Sequence, residues 1–420
     1  MKPVLFLITN NFPFGRGESF LLPELEAYKN FFSRIIILSK NDTDGRTSEF
    51  DASIFRVSPV SPWVDYFILP FLILQHFTFL FKILLDEIRF IAHHGRLRLS
   101  LLQKVFHDAA KALLLSRQIE KIIAQESINE PIILYSYWLN NSALATLFTF
   151  RSSKTIFRIS RAHSGDLYEY RHQSKYLSFR KTLLSGLHQV YTISEDGKAH
   201  LLSVAGDFFS NKIAISRLGT SGPNSIAITL DRKKIFCVAS CSYLLPVKQV
   251  DKILKAVAIA SSGPIRHLHI GGGELESSLK KMAQLLSKSN PKSEYFFTGN
   301  IPPNEIGQIY SQERPAVFIN ASKTEGIPVA MMEALSHGIP VIAPDVGAIR
   351  ELVTMESGLL LSDNPSEADF AQAIESIRSL PDEDYQKLRR GARHTWETKF
   401  NAAVNFPNFA TSVLNLSHAV

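Results

Sequence analysis

Along this chain, short unbroken apolar runs alternate with amphipathic stretches, the layout of buried strands crossed over by helices. VLFLIT (4–9) and RIIILSK (34–40) are two such runs, with helical spacing over 20–31 between them. PIILYSYW (131–138), TIFRIS (155–160), QVYTIS (189–194) and KIAISRLG (212–219) continue the series, with helices expected from about 141 to 150 and from Glu195 onward. The polar, turn-rich run TSGPNSIAITLDRKK (220–234) interrupts the alternation and reads as a linker. Beyond it, KIFCVASC, IRHLHIGG, EYFFTG, VFIN and PVIAP read as strands. VKQVDKILKAVAIA and ESSLKKMAQLLSK read as helices, as does the closing segment from about Pro381 to Val420. This order predicts an α/β protein of two doubly wound Rossmann-like domains, residues 1–222 and 223–395. Ligands of such sheets bind outside the carboxyl ends of the strands.

One segment departs from the pattern. WVDYFILPFLILQHFTFLFKILLDEIRFI (63–91) is almost wholly apolar and sits in a helical insert over about 62–115. Arg89, Arg96, Arg98, Lys104 and Lys111 follow or close it. Three readings stay open: a buried helical hairpin, a helix lying in a membrane interface with its basic flank on anionic headgroups, and a true span. The run is short for a span and carries Pro70.

Composition changes the picture only a little. Apolar residues make up 45% of 420 and charged residues 20%, ample for two cores. Net charge is 46 − 39 = +7, which suits an anionic ligand or an anionic membrane surface. No zinc-finger, helix-turn-helix or RNA-binding signature accompanies it, so no nucleic-acid partner is expected. Cys237 and Cys241 share one apolar run and read as buried, reduced thiols. The amino terminus lacks a full signal-peptide core and cleavage site. A cytoplasmic chain is therefore expected, peripheral on the inner membrane's cytoplasmic face if residues 63–91 lie in the interface.

The stretch richest in chemistry is FINASKTEGIPVAMMEALSHGIPVIAPDVGAIREL (318–352). It reads as a buried strand, a loop with Glu325 and Gly326, a helix with Pro328 at its first position, a stop at Gly338 and a second strand. Gly326 permits close backbone approach to a ligand, and the free amides of the helix start suit a phosphate. Glu333 lies eight positions after Glu325, about one and a half turns into the helix. Two carboxylates at different depths can hold two hydroxylated parts of one ligand, such as a sugar and a ribose.

The string E-G-x-P-x-x-x-x-E-A-x-x-x-G-x-P-V-I-A resembles the donor-site signature of retaining glycosyltransferases of the GT-B fold, family 4. The resemblance covers most of the second half and, more weakly, parts of the first. It implies two Rossmann-like domains facing a cleft, with residues 396–420 packing back toward the first domain. It also implies that Glu333 binds ribose hydroxyls, and that Glu325 with Gly326, Ile327, Pro328 and Val329 contacts the donor sugar or its phosphate. The family's R-x4-K falls on SYLLPVK (242–248): Lys248 matches the lysine, but Tyr243 stands where the arginine would be, so either Arg266 or Arg217 substitutes or the phosphate pocket relies on Lys248 and the helix N-terminus. IGGGELESSLK (270–280) resembles the strand end beside the nucleotide, with Gly272 as the candidate. FFTGNIPPNEI (296–306) resembles the loop bordering the base, giving Gly299, Asn300 and Ile301.

In the first half, NFPFGRGESFLLPEL (11–25) follows the first strand. Gly15, Arg16 and Gly17 there form a loop able to approach the leaving phosphate and the acceptor. RISRAHSGDLYEYR (158–171) resembles the R-x-H-x-x-D of bacterial polysaccharide-type family 4 transferases. The resemblance places His163 against the donor sugar, with Asp166 shaping the acceptor site. Between Arg151 and Lys181 there are eight Lys or Arg against two Asp or Glu. The two D-x-D strings, 42–44 and 382–384, read as turn and helix-cap carboxylates, and no metal or cofactor is expected.

The function implied is transfer of a hexosyl group from a nucleotide diphosphate sugar, expected to be UDP-linked, to a saccharide acceptor. That acceptor is expected to be a lipid-linked glycan in cell-surface polysaccharide synthesis. His163, Glu325 and Lys248 are the residues closest to the chemistry. Alternatives are an epimerase or phosphorylase of the same fold, or a membrane-associated partner with a degenerate donor site, for which Tyr243 is the argument.

Overall fold

The computed structural model describes residues 2–15, 18, 20–40, 45, 50, 52–56, 62–151, 153, 155–226, 235–260 and 262–418. The chain divides into two compact units, Met1–Ser216 with Phe406–Val420, and Arg217–Asn405. The sequence pattern places the breaks at 222/223 and 395/396. Instead, Thr220 donates to and accepts from the backbone around Phe400–Ala402, and the Trp396 indole donates to its hydroxyl at 3.0 Å. Those contacts tie the start of the supposed linker into the second unit.

The first unit contains β1 (Val4–Thr9), α1 (Leu21–Tyr28), β2 (Arg34–Ser39), β3 (Ser53–Arg56), α2 (Pro62–Gln75), α3 (Phe77–His93) and α4 (Leu99–Gln125). It continues with β4 (Ile132–Ser136), α5 (Asn141–Phe148), β5 (Ile156–Ala162), the short α6 (Ser164–Leu167), α7 (Arg180–Gly186), β6 (Gln189–Thr192), α8 (Glu195–Ala205) and β7 (Ile213–Ile215). Its sheet is parallel throughout, in the order β3-β2-β1-β4-β5-β6-β7. The order reverses between β1 and β4, where Val4 pairs with Ile132 and Ile8 with Ser136. β1, β4 and β5 are buried along their whole length, which explains why their sequences are apolar runs rather than alternations. The four-residue β3 went unread because its segment is mostly half-exposed and lacks such a run.

α4 presents Leu101, Val105, Ala109, Ala112, Ile119 and Ile123 to this core at helical spacing. α2 and α3 meet at His76 with an 89° bend. Their inner residues Leu72, Leu80, Ile83 and Ile91 join the core, while Phe67, Phe71, Leu74, Phe77 and Phe81 face outward. The insert is thus an elbow with one buried side. Among the described residues no single helix is long and apolar enough to cross a membrane, and the bent pair passes that test only jointly.

A fully buried ion pair holds one end of this unit. Both oxygens of Glu24 on α1 accept from Arg161 Nη1 of β5 at 2.8 and 2.7 Å, and Arg161 Nη2 donates to Ser216 Oγ at 3.1 Å. Tyr28 and Tyr137 donate to the same carboxylate. The returning helix, α15 (Ala402–His418), covers the pair with Phe409. Its ring lies 4.4 Å from the guanidinium and packs on Tyr28, Tyr135 and Tyr191.

The second unit contains β8 (Phe236–Cys241), α9 (Val250–Ile259), β9 (Ile265–Ile270), α10 (Glu276–Ser289), β10 (Ser293–Phe297), α11 (Pro303–Glu313) and β11 (Val317–Ile319). Then follow α12 (Val329–Ser336), β12 (Val341–Pro344), β13 (Gly358–Leu361), α13 (Glu367–Arg378), α14 (Asp382–Lys399) and the first turn of α15. Its six strands are also all parallel, in the order β10-β9-β8-β11-β12-β13, reversing between β8 and β11. Both units are therefore doubly wound, and each has one topological switch point.

Candidate functional site

In the second unit, the loops leaving β8 and β11 emerge side by side at the switch point. A backbone bond from Lys323 N–H to the Val247 carbonyl, 2.9 Å, ties them together. Across this join, Lys248 Nζ donates to Glu325 Oε1 at 2.6 Å, and Asn320 Nδ2 donates to the same oxygen at 3.3 Å. Two residues 77 positions apart, singled out separately in the sequence, form one pair. Glu325 is 8% exposed. Its carbonyl lies where a Cβ on Gly347 would come within 2.1 Å, and Gly347 has φ +57°, so only glycine fits the turn that backs the loop. Gly326 accepts from the Ala348 amide at 3.1 Å, which fixes the loop from the same side.

Pro328 caps α12 rather than opening it: it sits at φ −75°, ψ 119°, and the helix begins at Val329. No side chain caps this start, so Val329 begins a helix end without a protein anion. Ile327 and Pro328 are buried against it. The stop falls as expected, with Gly338 at φ +63° past the last turn.

Glu333 lies on α12, half-buried by its side-chain exposure but with a carboxyl group taken out of water, and that desolvation pushes the carboxyl up to about 8. No described protein group bonds its carboxylate; its charge is felt by the Cys241 thiol and by Tyr310, whose hydroxyl is also without a partner. Burial first, and then a nearby carboxylate (Glu313 for Cys237, Glu333 for Cys241), lifts both cysteines, and both are free thiols.

The β9 strand end forms a neighbouring wall. Gly272 N–H donates to Asn300 Oδ1 at 3.1 Å, and Gly271 N–H donates to the Gly299 carbonyl at 3.1 Å, so the two predicted loops are stitched together. The conformational demand falls on Gly271 rather than Gly272: its φ is +127° and a Cβ there would meet the Ser242 carbonyl at 2.1 Å. Gly299 has φ +69° with open space beside it, Asn300 is exposed and Ile301 half-buried.

Neither proposed substitute for the missing arginine is at this edge. Arg266 belongs to the amino end of β9 and pairs with Glu313 at 2.5 Å. Arg217 pairs with Glu351 at 2.9 Å. Tyr243 itself is 54% exposed. Among the described residues, the cation paired with Glu325 is Lys248.

In the first unit the switch point carries a second set of groups. His163 follows the carboxyl end of β5, 6% exposed, its ring centroid 4.6 Å from both Tyr137 and Trp138. Among the described residues neither ring nitrogen makes a full hydrogen bond, the ring only facing the Asp166 amide at the start of α6. Burial, with the Arg161 charge behind it, holds the imidazole well below its ordinary range, so it is neutral. Asp166 does not reach outward. Its carboxylate accepts the backbone amides of Leu139 and His163, and Arg180 Nη2 donates to its carbonyl. Burial nevertheless raises its pKa to about 7, against the pull of Arg180 and those amides. Asp166 therefore positions the His163 backbone and the turn after β4.

Glu18 and Trp138 were missed as a pair. Glu18, 2% exposed, accepts the amides of Asn10, Asn11 and Phe12 and the Trp138 indole. Those loop amides are thus already occupied by a protein carboxylate. Gly15 has φ +63° and donates to Gly45, while Arg16 and Gly17 lie outside the described residues. Three arginines of the basic run from 151 to 181 are structural as well: Arg158 donates to the Thr146, Thr149, Phe150 and Ile156 carbonyls, Arg161 is in the buried pair, and Arg180 is buried beside Asp166.

Among the described residues no three His, Cys, Asp or Glu groups converge as for a metal. Asp382, Glu383 and Asp384 form the first turn of α14, with Lys387 against the latter two; residues 42–44 lie outside the described residues. A recess of about 520 Å³ by β13, α13 and α14 contains none of the site residues above.

Residues 223–395 match the model of the family described as Glycosyl transferases group 1. The chain is 38% identical over 207 residues to the putative colanic acid biosynthesis glycosyltransferase WcaL of Escherichia coli K12, covering 46% of this chain and 48% of that protein. It is 33% identical over 132 residues to a GDP-mannose-dependent alpha-mannosyltransferase of Mycobacterium tuberculosis, 31% of each. The chain spans less than half the length of these curated relatives. Anabaena HepE, solved in complex with UDP and glucose, superposes with a TM-score of 0.64 at 14% identity over 99% of this chain and 100% of that one. At that identity the likeness establishes the fold, which is GT-B. Residues 223–395, within the second unit, are thus similar to the glycosyl transferases group 1 family.

Proposed function

We propose that the chain is a retaining glycosyltransferase that moves a hexosyl group from a nucleotide diphosphate sugar to a saccharide hydroxyl, without a metal ion. The observation that carries this reading is the switch-point cluster of the family-matched unit, Lys248 on Glu325 with Glu333 nearby on α12. Glu333, half-buried and without a described partner, is suited to accept two ribose hydroxyls, and Lys248 with the uncapped start of α12 to hold the departing diphosphate. His163, neutral and with both ring nitrogens unpartnered, is suited to hydrogen-bond a sugar hydroxyl. The acceptor hydroxyl attacks on the face the diphosphate leaves, and the leaving phosphate takes the proton, so no side-chain base is required. UDP is the proposed nucleotide, as bound by HepE, although the mycobacterial relative is named for GDP-mannose. A lipid-linked glycan of a surface polysaccharide is the proposed acceptor, in keeping with the name of the colanic acid relative.

Titration calorimetry of UDP and GDP in metal-free buffer, on wild type and Glu333→Ala, tests the donor site. Micromolar UDP binding that weakens on substitution supports it, and the anomeric configuration of the product from a sugar-nucleotide panel then tests retention. Absence of binding to either nucleotide would favour a degenerate donor site, with Tyr243 as its cause. Turnover of the sugar nucleotide without an acceptor, to an epimer, would favour an epimerase.

A further inference from the structure

The outer side of the α2–α3 elbow has no role in the site just described. Phe67, Phe71 and Leu74 on α2 are 75%, 73% and 75% exposed, and Phe77 and Phe81 on α3 are 55% and 57% exposed. Single exposed apolar side chains are ordinary, but a contiguous set this large on one bend marks an interaction surface. Spacings of four and three residues put the α2 members on one helix face. Phe77 and Phe81 stack with centroids 5.9 Å apart.

The elbow is held stiffly from behind. Leu72, Leu80 and Ile83 are 5%, 6% and 3% exposed, and the His76 and Phe79 rings meet Phe148 of α5 edge-on at 5.2 and 5.3 Å. Arg151 lies over the other side of Phe79, 3.6 Å from its centroid. Preorganised aromatic groups lose little conformational freedom on insertion.

Charge decides what covers this face. Lys82, Arg89, Arg96 and Arg98 are exposed along α3 and the turn that follows it, with Leu97 and Leu99 exposed between and beside them. Of the acidic residues in the same span, Asp86 is exposed, whereas Glu87 is turned inward and accepts from Tyr176 and the Phe179 amide. Aromatic tips beside a basic rim are the chemistry of an in-plane membrane contact. Among the described residues no single helix is long and apolar enough to cross, and the 89° bend suits an in-plane contact better than a straight span.

We infer that the α2–α3 elbow is a docking surface for an anionic lipid bilayer, inserting Phe71, Leu74, Phe77 and Phe81 among the acyl chains with Lys82 and Arg89 on the headgroups. This goes beyond the transfer reaction and holds whichever sugar is moved.

Co-sedimentation of the full chain with vesicles of phosphatidylcholine, with and without phosphatidylglycerol, tests it. Wild type is expected to bind the anionic vesicles and to release with salt. Phe71→Ser/Phe77→Ser should weaken partitioning by about tenfold or more, and Lys82→Glu/Arg89→Glu by about fivefold per charge on anionic vesicles only. Unchanged far-UV dichroism and melting keep the variants comparable, since the replaced side chains lie outside the core. Failure of wild type to sediment with anionic vesicles, or aromatic variants that sediment like wild type, would overturn the inference. So would a wild-type dimer in sedimentation velocity that Phe71→Ser/Phe77→Ser splits without any loss of vesicle binding, because the occupant would then be a second copy. No donor or acceptor is needed, so the outcome is separate from that of the transfer assay.

Discussion

Glu333 shows how one side chain can report on the donor site. Its folded pKa of about 8 lies above its ordinary 4.5 because burial disfavours the charged form. Between those values the folded chain holds a proton that the unfolded chain has lost, so stability falls as pH rises through that window. Glu333→Gln removes the titration. The variant should be more stable than wild type above about pH 8, by on the order of a few kcal/mol, and equal to it in mild acid. Denaturant unfolding at several pH values checks this. The same proton should gate the proposed nucleotide contact. Ribose hydroxyls donate to the ionised carboxylate, so UDP affinity is expected to rise with pH through about 8 in wild type and stay flat in Glu333→Gln. A wild-type affinity independent of pH would remove Glu333 from the ligand.

His163 makes the opposite case. Its neutral ring does not titrate near neutrality, so it acts as a hydrogen-bond group and not as an acid or base. His163→Ala is expected to lower transfer by about ten- to a thousandfold while leaving UDP affinity and the pH profile unchanged. A loss of UDP binding to match the loss of rate would assign it to folding of the loop instead.

At the scale of elements, the parallel strands were legible because burial on both faces writes them as apolar runs, as in VLFLIT and FCVASC. The donor loops were legible through residue types at fixed spacing, but the Lys248–Glu325 bond was not, because it depends on β8 and β11 being neighbours. Trp138 and Glu18 were hidden for the same reason: their meeting requires β1 beside β4. The basic run of 151–181 misled because charge counting cannot tell a solvated arginine from one that caps a helix or enters a buried pair. The Glu24–Arg161 pair joins α1 to β5 in that way. Glu24→Gln leaves a guanidinium buried and is expected to destabilise the fold by about 3–5 kcal/mol, read from a denaturant melt. Replacing both members with Gln and Met should recover part of that loss, which a double-mutant cycle would resolve.

For the whole molecule, two parallel sheets follow from alternation alone, but where the chain leaves each of them does not. The tail illustrates the point. Phe409 has no distinguishing sequence context, yet it stacks on Tyr28 and Tyr191 and covers the Arg161 guanidinium in the first unit. Phe406, Ala410 and Val413 are buried with it. Ending the chain after Asn405 would therefore expose Arg161, Tyr135 and Tyr191 without touching the Lys248–Glu325 cluster of the other unit. Calorimetric melting of the shortened chain should show the first unit's transition lowered by roughly ten degrees or more, given the loss of several buried aromatic contacts. The second unit's transition should stay in place and still rise with UDP. One cooperative transition, shifted as a whole and no longer responding to UDP, would mean that the tail supports both units alike and that the two-unit division does not describe how the molecule melts.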